Sequence, residues 1–478
     1  MMYSLVYNNR IYRVIFRQIP FFLSLFYLSC SLDIPYENQF SDPDAVSTPE
    51  KARELLATAY ALLPDASFEL SMLSDDFEPT ELLSKNVGLK ELYEWAPLPV
   101  EHLALSLWQG YYAAVGGANA VLERVRLLSG HTPGEKEVIT GIIAEAHVLK
   151  AYSFFNLLRL FAPDYSDGNE REGIPLKSKL EQESLPRATV KVCADTIRTL
   201  LMQALASNYE SRNEYWFSPR SAYYILAELE LYTSNFDKAA AYALEVIRRQ
   251  GGYGVLDKET YRKLWGDSEC RERIFSWFNP NPYYRDINMT RGLGDYVRVN
   301  PSLSSLYDEG DVRKEASVFS CPFVSNKKNA ELCFGKYNKE NKEGRVFHTV
   351  CRQRVSGACF ILAEAYCRMG KAFEPKAVEV MNEYLKRRTA ALLPETGGEL
   401  LLQSILQEKR KEFVGEGERY FDLKRLRKNL MSGWNKSGTM TLKKIGADDY
   451  RWNFPIPSKE YLYNRNMNQN EGWSEIIQ

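Results

Sequence analysis

Histidine is scarce in this chain. There are four among 478 residues (His102, His131, His147, His348), and none stands at a metal-ligand spacing. The sequence holds no HExxH, no GxSxG, no Walker A loop and no GxGxxG, and Arg291-Gly-Leu-Gly294 stops short of a phosphate cradle. These gaps exclude zinc-protease, nucleophile-elbow and nucleotide-dependent chemistry, and no cofactor is expected. An excess of charge is missing too. Lys and Arg total 61 against 62 Asp and Glu, a formal net charge of −1. Nucleic-acid binding needs clustered positive charge, so no such partner is expected. The eight cysteines include no CxxC and no Cys/His cluster, which argues against a zinc site. Cys359 and Cys367 lie in an apolar helical run and read as small buried hydrophobes. A Cys321–Cys333 bridge stays open in an oxidising compartment. After the first thirty residues no apolar run is expected to reach the ~20 residues that span a bilayer.

What remains is an ordinary globular balance, 45% hydrophobic and 26% charged, with an unusual share of rings. Aromatics make up 13%, including 30 Tyr and 23 Phe. Either a core or an exposed stacking surface must hold them.

The first residues carry Arg10, Arg13 and Arg17 and no acid, followed by the short apolar stretch 19–28 and then Ser29-Cys30. A basic region, a short apolar region and a small residue before the cut is the plan of a signal peptide. Cys30 directly after Ser29 points to a lipoprotein cut, with residues 1–29 removed and Cys30 acylated. Residues 30–50 contain Pro35, Pro43 and Pro49 and read as a tether. Removing the leader takes three arginines and no acid, so the remainder is mildly acidic.

The body, 51–478, reads as mainly helical. Ala144, Val148, Ala151, Phe155 and Leu158 step by four and three, the period of a buried helix face, and Pro163 ends the run. Another stripe, Tyr111, Val115, Ala118, Leu122 and Val125, precedes it, giving a pair over 108–161. A clearer pair spans 221–249, with a short turn at Thr233–Phe236 and small Ala227, Ala239 and Ala243 at its seam. A third spans 358–388 around Gly370-Lys371. Such hairpins resemble tetratricopeptide units, which stack and bury a common core. Helical period fades over 251–350 and 429–453, which are rich in Gly, Asn, Pro and rings. Loops of that length in a compact protein tend to carry function.

Two clusters invite chemistry. Asp75-Asp76-Phe-Glu78 and Glu81 offer neighbouring carboxylates of the kind used in glycoside hydrolysis, although a chain with 62 acids produces such neighbours by chance. The stretch from Glu408 to Lys428 alternates acids and bases, and an ion-pair network explains it better than an RNA-binding patch.

Five stretches, in order, resemble the SusD/RagB family of outer-membrane nutrient-binding lipoproteins. They are the exported start ending in Cys30; the helix AEAHVLKAYSFFNLLRLF ending at Phe161; the hairpin 221–249; the segment ILQEKRKEFVGEGERYFDLKR from Ile405 to Arg425; and the ending Phe454-Pro-Ile-Pro…Asn468-Gln-Asn-Glu-Gly-Trp473. Arg354 followed by Gly357, and Leu385 ahead of Arg387, depart from the family pattern at scaffold positions. The resemblance implies a mainly α fold of tetratricopeptide-like pairs with a loop-rich ligand layer and minor β structure. It also implies a non-enzymatic surface lipoprotein, held to the outer membrane by its lipid, that acts as a lid on a SusC-like TonB-dependent β-barrel transporter. Its ligand would be an oligosaccharide or, in the RagB branch, a peptide. A lipoprotein scaffold that binds only other proteins is the further alternative.

Sugar capture needs flat rings for stacking and polar groups for hydroxyls. Loop composition, rather than a family motif, points to Trp95, Trp277, Tyr283, Tyr284 and Tyr296 as rings, with Asn279, Asn281 and Arg285 as polar partners.

Overall fold

The structure, a computed structural model, describes residues 46–474 except 81, 182, 212, 267, 279–295, 320–331, 337–348, 390, 395 and 433–442. The leader, Cys30, most of the tether, Glu81 and Cys321 lie outside the described residues.

Eight helices form the frame: α1 (Pro49–Ala61), α2 (Pro97–Arg124), α3 (Pro133–Phe161), α4 (Val190–Ala206), α5 (Pro219–Tyr232), α6 (Phe236–Arg249), α7 (Val355–Arg368) and α8 (Glu374–Leu385). Their starts are written locally. Thr48, Thr132, Thr189 and Ser218 each accept a backbone N–H of the first turn, and proline opens α1, α3 and α5. At α3 the cap is reciprocal, because Glu135 also accepts from the backbone N–H of Thr132. Each helix packs on the next in chain order, giving a stacked array. The contact between α6 and α7 holds although 250–354 lies between them, so the loop-rich stretch is an insertion into a continuous stack.

Differences from expectation concern extent. α2 begins at Pro97, well before Trp108, and α4 is an additional array member. α3 has the length and apolar composition to cross a bilayer, contrary to expectation, but 78% of its apolar window is buried by its neighbours. Two of its buried charges are paired: Glu145 meets Arg53 at 2.7 Å, and Lys150 Nζ donates to Asn119 Oδ1 at 2.6 Å.

Among the described residues, the inserted and C-terminal stretches, with one strand from between α1 and α2, form four two-stranded antiparallel ladders. β1 (Phe77–Pro79) pairs with β3 (Val297–Val299), and β2 (Arg273–Phe278) with β6 (Thr349–Arg354). β4 (Val318–Phe319) pairs with β5 (Cys333–Phe334), and β7 (Leu430–Ser432) with β8 (Lys443–Ile445). Two cores result. One lies among α5 to α8, built on Ala239, Ala243, Ala358 and Leu362. The other lies under the ladders and takes in Phe77, Trp265, Val299 and Tyr307. Many rings of the loop layer are therefore core rings.

Candidate functional site

Two further helices, α9 (Gly398–Phe413) and α10 (Glu418–Arg425), carry the charged 405–425 segment and lock the layer to the array. Glu412, fully buried, receives Arg354 at 3.2 Å and the Tyr384 hydroxyl at 2.5 Å. Glu416 pairs with Arg354 and, at 2.7 Å, with Lys336. Arg388 reaches Glu272 at 2.6 Å, and Glu408 reaches Arg313 at 2.7 Å. In α10, Arg425 binds Glu364 of α7 at 2.7 Å, and Asp422 takes Lys409 at 2.8 Å. Burial pushes Asp75 up, but Arg410 and Arg419 beside it outweigh burial and hold it at about 2. Its neighbour Asp76 is raised to about 6 by burial and accepts the Gly415 N–H. Glu78 pairs with Arg298 at 3.0 Å. The acidic cluster at 75–78 is thus a clamp between segments, and the 408–425 charges form the expected network.

The candidate ligand residues separate into three groups. Trp95 is a correction. It is 0% exposed, its indole N–H donates to Leu73 O at 3.0 Å, and its ring lies 6.0 Å from Tyr420 and 5.1 Å from Trp452. The connection between the helix Val87–Tyr93 and α2 is too tight for a projecting loop: Trp95 N–H bonds Leu92 O and Ala96 N–H bonds Glu91 O. The chain turns the ring inward, and no face is left for a sugar. Trp277 and Tyr296 form the second group. Trp277, on β2 opposite Val350, is 8% exposed, with the Arg352 guanidinium 5.8 Å from its ring centre. Tyr296 is half-buried and its carbonyl accepts from Thr80 N at 2.9 Å. The third group, Asn279, Asn281, Tyr283, Tyr284 and Arg285, lies outside the described residues, on the stretch that joins these two.

The structure also brings in residues that loop composition did not single out. Arg352 holds Asp65 and donates to Ser67 Oγ at 2.6 Å. Tyr215, 39% exposed, sets its hydroxyl 3.3 Å from Thr349 Oγ1, at the same end of the β2–β6 ladder as Trp277. Asn213 and Ser211 beside it mark a turn in the sequence, the signal that Tyr215 projects. An exposed ring, a guanidinium and hydroxyls at one ladder end are groups suited to stacking and to hydroxyl recognition.

A continuous stack of helix pairs with a ladder-and-loop layer inserted between two of its helices defines a helical-repeat protein of the SusD type. Two family matches agree. Residues 31–231 match a SusD-like family described as "Starch-binding associating with outer membrane", and residues 324–473 match the SusD family. The chain belongs to the SusD/RagB family. It is 20% identical to a SusD-like protein of Formosa agariphila over 463 residues, covering 83% of this chain and 88% of that one. A SusD superfamily protein of Bacteroides thetaiotaomicron shares the fold with a TM-score of 0.74 and 22% identity, over 88% of this chain and 99% of that one. A laminarin-binding SusD-like protein matches with a TM-score of 0.67 and 19% identity, over 89% and 100%.

Proposed function

We propose that this protein is a non-catalytic, lipid-anchored lipoprotein of the cell surface that captures oligosaccharides and delivers them to a SusC-like TonB-dependent outer-membrane transporter. The observation that carries this is the family match on both flanks of the inserted layer, in a chain whose fold is shared with a laminarin-binding relative. Cys30 supplies the lipid, and more than one acyl chain makes such an anchor stable. The helix array faces the transporter, and the inserted layer takes the ligand without a cofactor. Trp277 and Tyr296, with the intervening Asn279, Asn281, Tyr283, Tyr284 and Arg285, form the ligand strip, and Tyr215 and Arg352 extend it.

The test is calorimetric titration of the mature chain with laminarin and starch oligosaccharides, repeated with Trp277→Ala and Tyr283→Ala combined. Saturable binding that the double variant loses supports the strip. Unchanged affinity in the double variant rejects it.

A further inference from the structure

A cavity of about 50 Å³ lies where α2, α3, α5, β6 and α10 meet. Every residue on its wall is buried or half-buried. It sits on the seam between the helix array and the ladder layer. Tyr111, Tyr152, Arg159 and Glu228 reach it from the array, Gln353 from the ladder and Glu418 from the start of α10.

Each of these residues brings a polar group that the fold leaves without a hydrogen bond. Gln353 is 2% exposed, yet neither its amide oxygen nor its amide nitrogen bonds any described residue. The same holds for the hydroxyls of Tyr111 and Tyr152. The Arg159 guanidinium is wedged between the rings of Phe155 at 4.4 Å and Phe421 at 4.1 Å, and one end donates to Asn156 Oδ1 at 2.8 Å. Its Nε is buried with no partner among the described residues. Glu228 meets Arg159 at 3.7 Å, too far for a hydrogen bond. Glu418 forms no ion pair with any described residue.

Buried polar atoms are nearly always bonded to protein or to ordered water. Arg354, equally deep, bonds protein through each of its guanidinium nitrogens. Here the unbonded groups come from separate elements and converge on one space, which scattered packing faults would not do. Volume sets the size of the occupant. About 50 Å³ takes about three to five waters at roughly 10–15 Å³ each. Small-ligand sites measure roughly 300–1,000 Å³, so a sugar ring is excluded. Chemistry sets its kind. Donors (the Gln353 amide N–H, Arg159 Nε) and acceptors (the Glu228 and Glu418 carboxylates) line the same space, and a cation would sit against the Arg159 guanidinium. Water both donates and accepts. We infer that this cavity is a binding site for a cluster of structural waters that joins the helix array to the ladder layer, held by Tyr111, Tyr152, Gln353, Glu228 and Glu418.

The experiment compares the mature chain with Tyr152→Phe and Gln353→Met by oxygen-17 magnetic relaxation dispersion, which reads waters held long inside a protein. Crystal structures of the same three proteins locate those waters. Tyr152→Phe keeps the ring and removes only the hydroxyl. The site predicts ordered waters within about 2.5–3.2 Å of the Tyr152 hydroxyl, the Gln353 amide and a carboxylate of Glu228 or Glu418. Each variant is expected to hold fewer long-lived waters than the wild type. Equal long-lived water in all three proteins overturns the site. So does direct bonding of Gln353 to a tyrosine hydroxyl across a closed space, or an organic molecule or metal ion in the cavity. None of these results bears on glycan capture, which the sugar titrations test separately.

Discussion

Arg354 illustrates how one side chain holds two layers together. It ends β6, precedes α7 and is 1% exposed, yet it bonds both Glu412 and Glu416. Burying charge is costly unless every partner is present, and removing one member strands the others. Arg354→Ala should lower unfolding stability by about 3–5 kcal/mol, read as a fall in the urea midpoint. Arg354→Lys should restore little, because a point ammonium cannot serve both carboxylates as a planar guanidinium does. Glu228 makes a pH prediction. Burial pushes it up to about 7 from 4.5, Arg159 opposes the rise and Glu418 adds to it. Between those two values the folded chain holds a proton that the unfolded chain has lost, so stability contributed by this group falls as pH rises through the window. Glu228→Gln should therefore unfold at a higher urea concentration than wild type at about pH 8, with the two converging near pH 4. A parallel pair of profiles would show that Glu228 ionises normally.

At the scale of elements, α1 and α2 cross where Gly117 meets Ala59. A Cβ on Gly117 would lie 2.6 Å from the Ala59 Cβ, whereas one on the adjacent Gly116 would meet nothing within 4 Å. Gly116→Ala should stabilise by about 0.5–1 kcal/mol through helix propensity. Gly117→Ala should destabilise by about 1–3 kcal/mol through overpacking. Thermal melts of the two variants give opposite signs if the crossing is this tight. Elements of this kind are legible from local pattern: Ala144, Val148, Ala151, Phe155 and Leu158 repeat at helical spacing, and all five are buried in α3. α4 has the same spacing at Val190, Cys193, Ile197, Leu200 and Ala204, but a long connection, 162–189, precedes it, so no hairpin signature marks it. The ring layer is where local pattern fails. Trp95 is surrounded by Tyr420 and Trp452, far along the chain, and nothing near Trp95 announces them. Trp265 and Tyr307 are buried by the same kind of distant pairing, through ladders such as β1–β3. Ring-rich composition therefore does not tell the core rings of the inserted stretch from its surface rings. The charged 408–425 segment is legible as a network because acids and bases alternate, while its distant partners Arg313, Arg354 and Glu364 come only with the fold.

For the whole molecule, the account joins a lipid anchor, a stacked scaffold and a ligand layer inserted between α6 and α7. Cys30→Ser should move the protein from the membrane fraction to the soluble fraction and abolish labelling by radioactive palmitate. Retention of label would place the acyl group on another residue. The scaffold needs no anchor to bind, so the same variant should keep its ligand affinity. The most direct measurement is calorimetric titration of the mature, unlipidated chain with size-defined laminarin and starch oligosaccharides, with the sugars sized again afterwards. The account predicts saturable heat for at least one of them and recovery of that sugar at its starting length. Absence of saturable heat throughout, or recovery of shortened sugar, would contradict it.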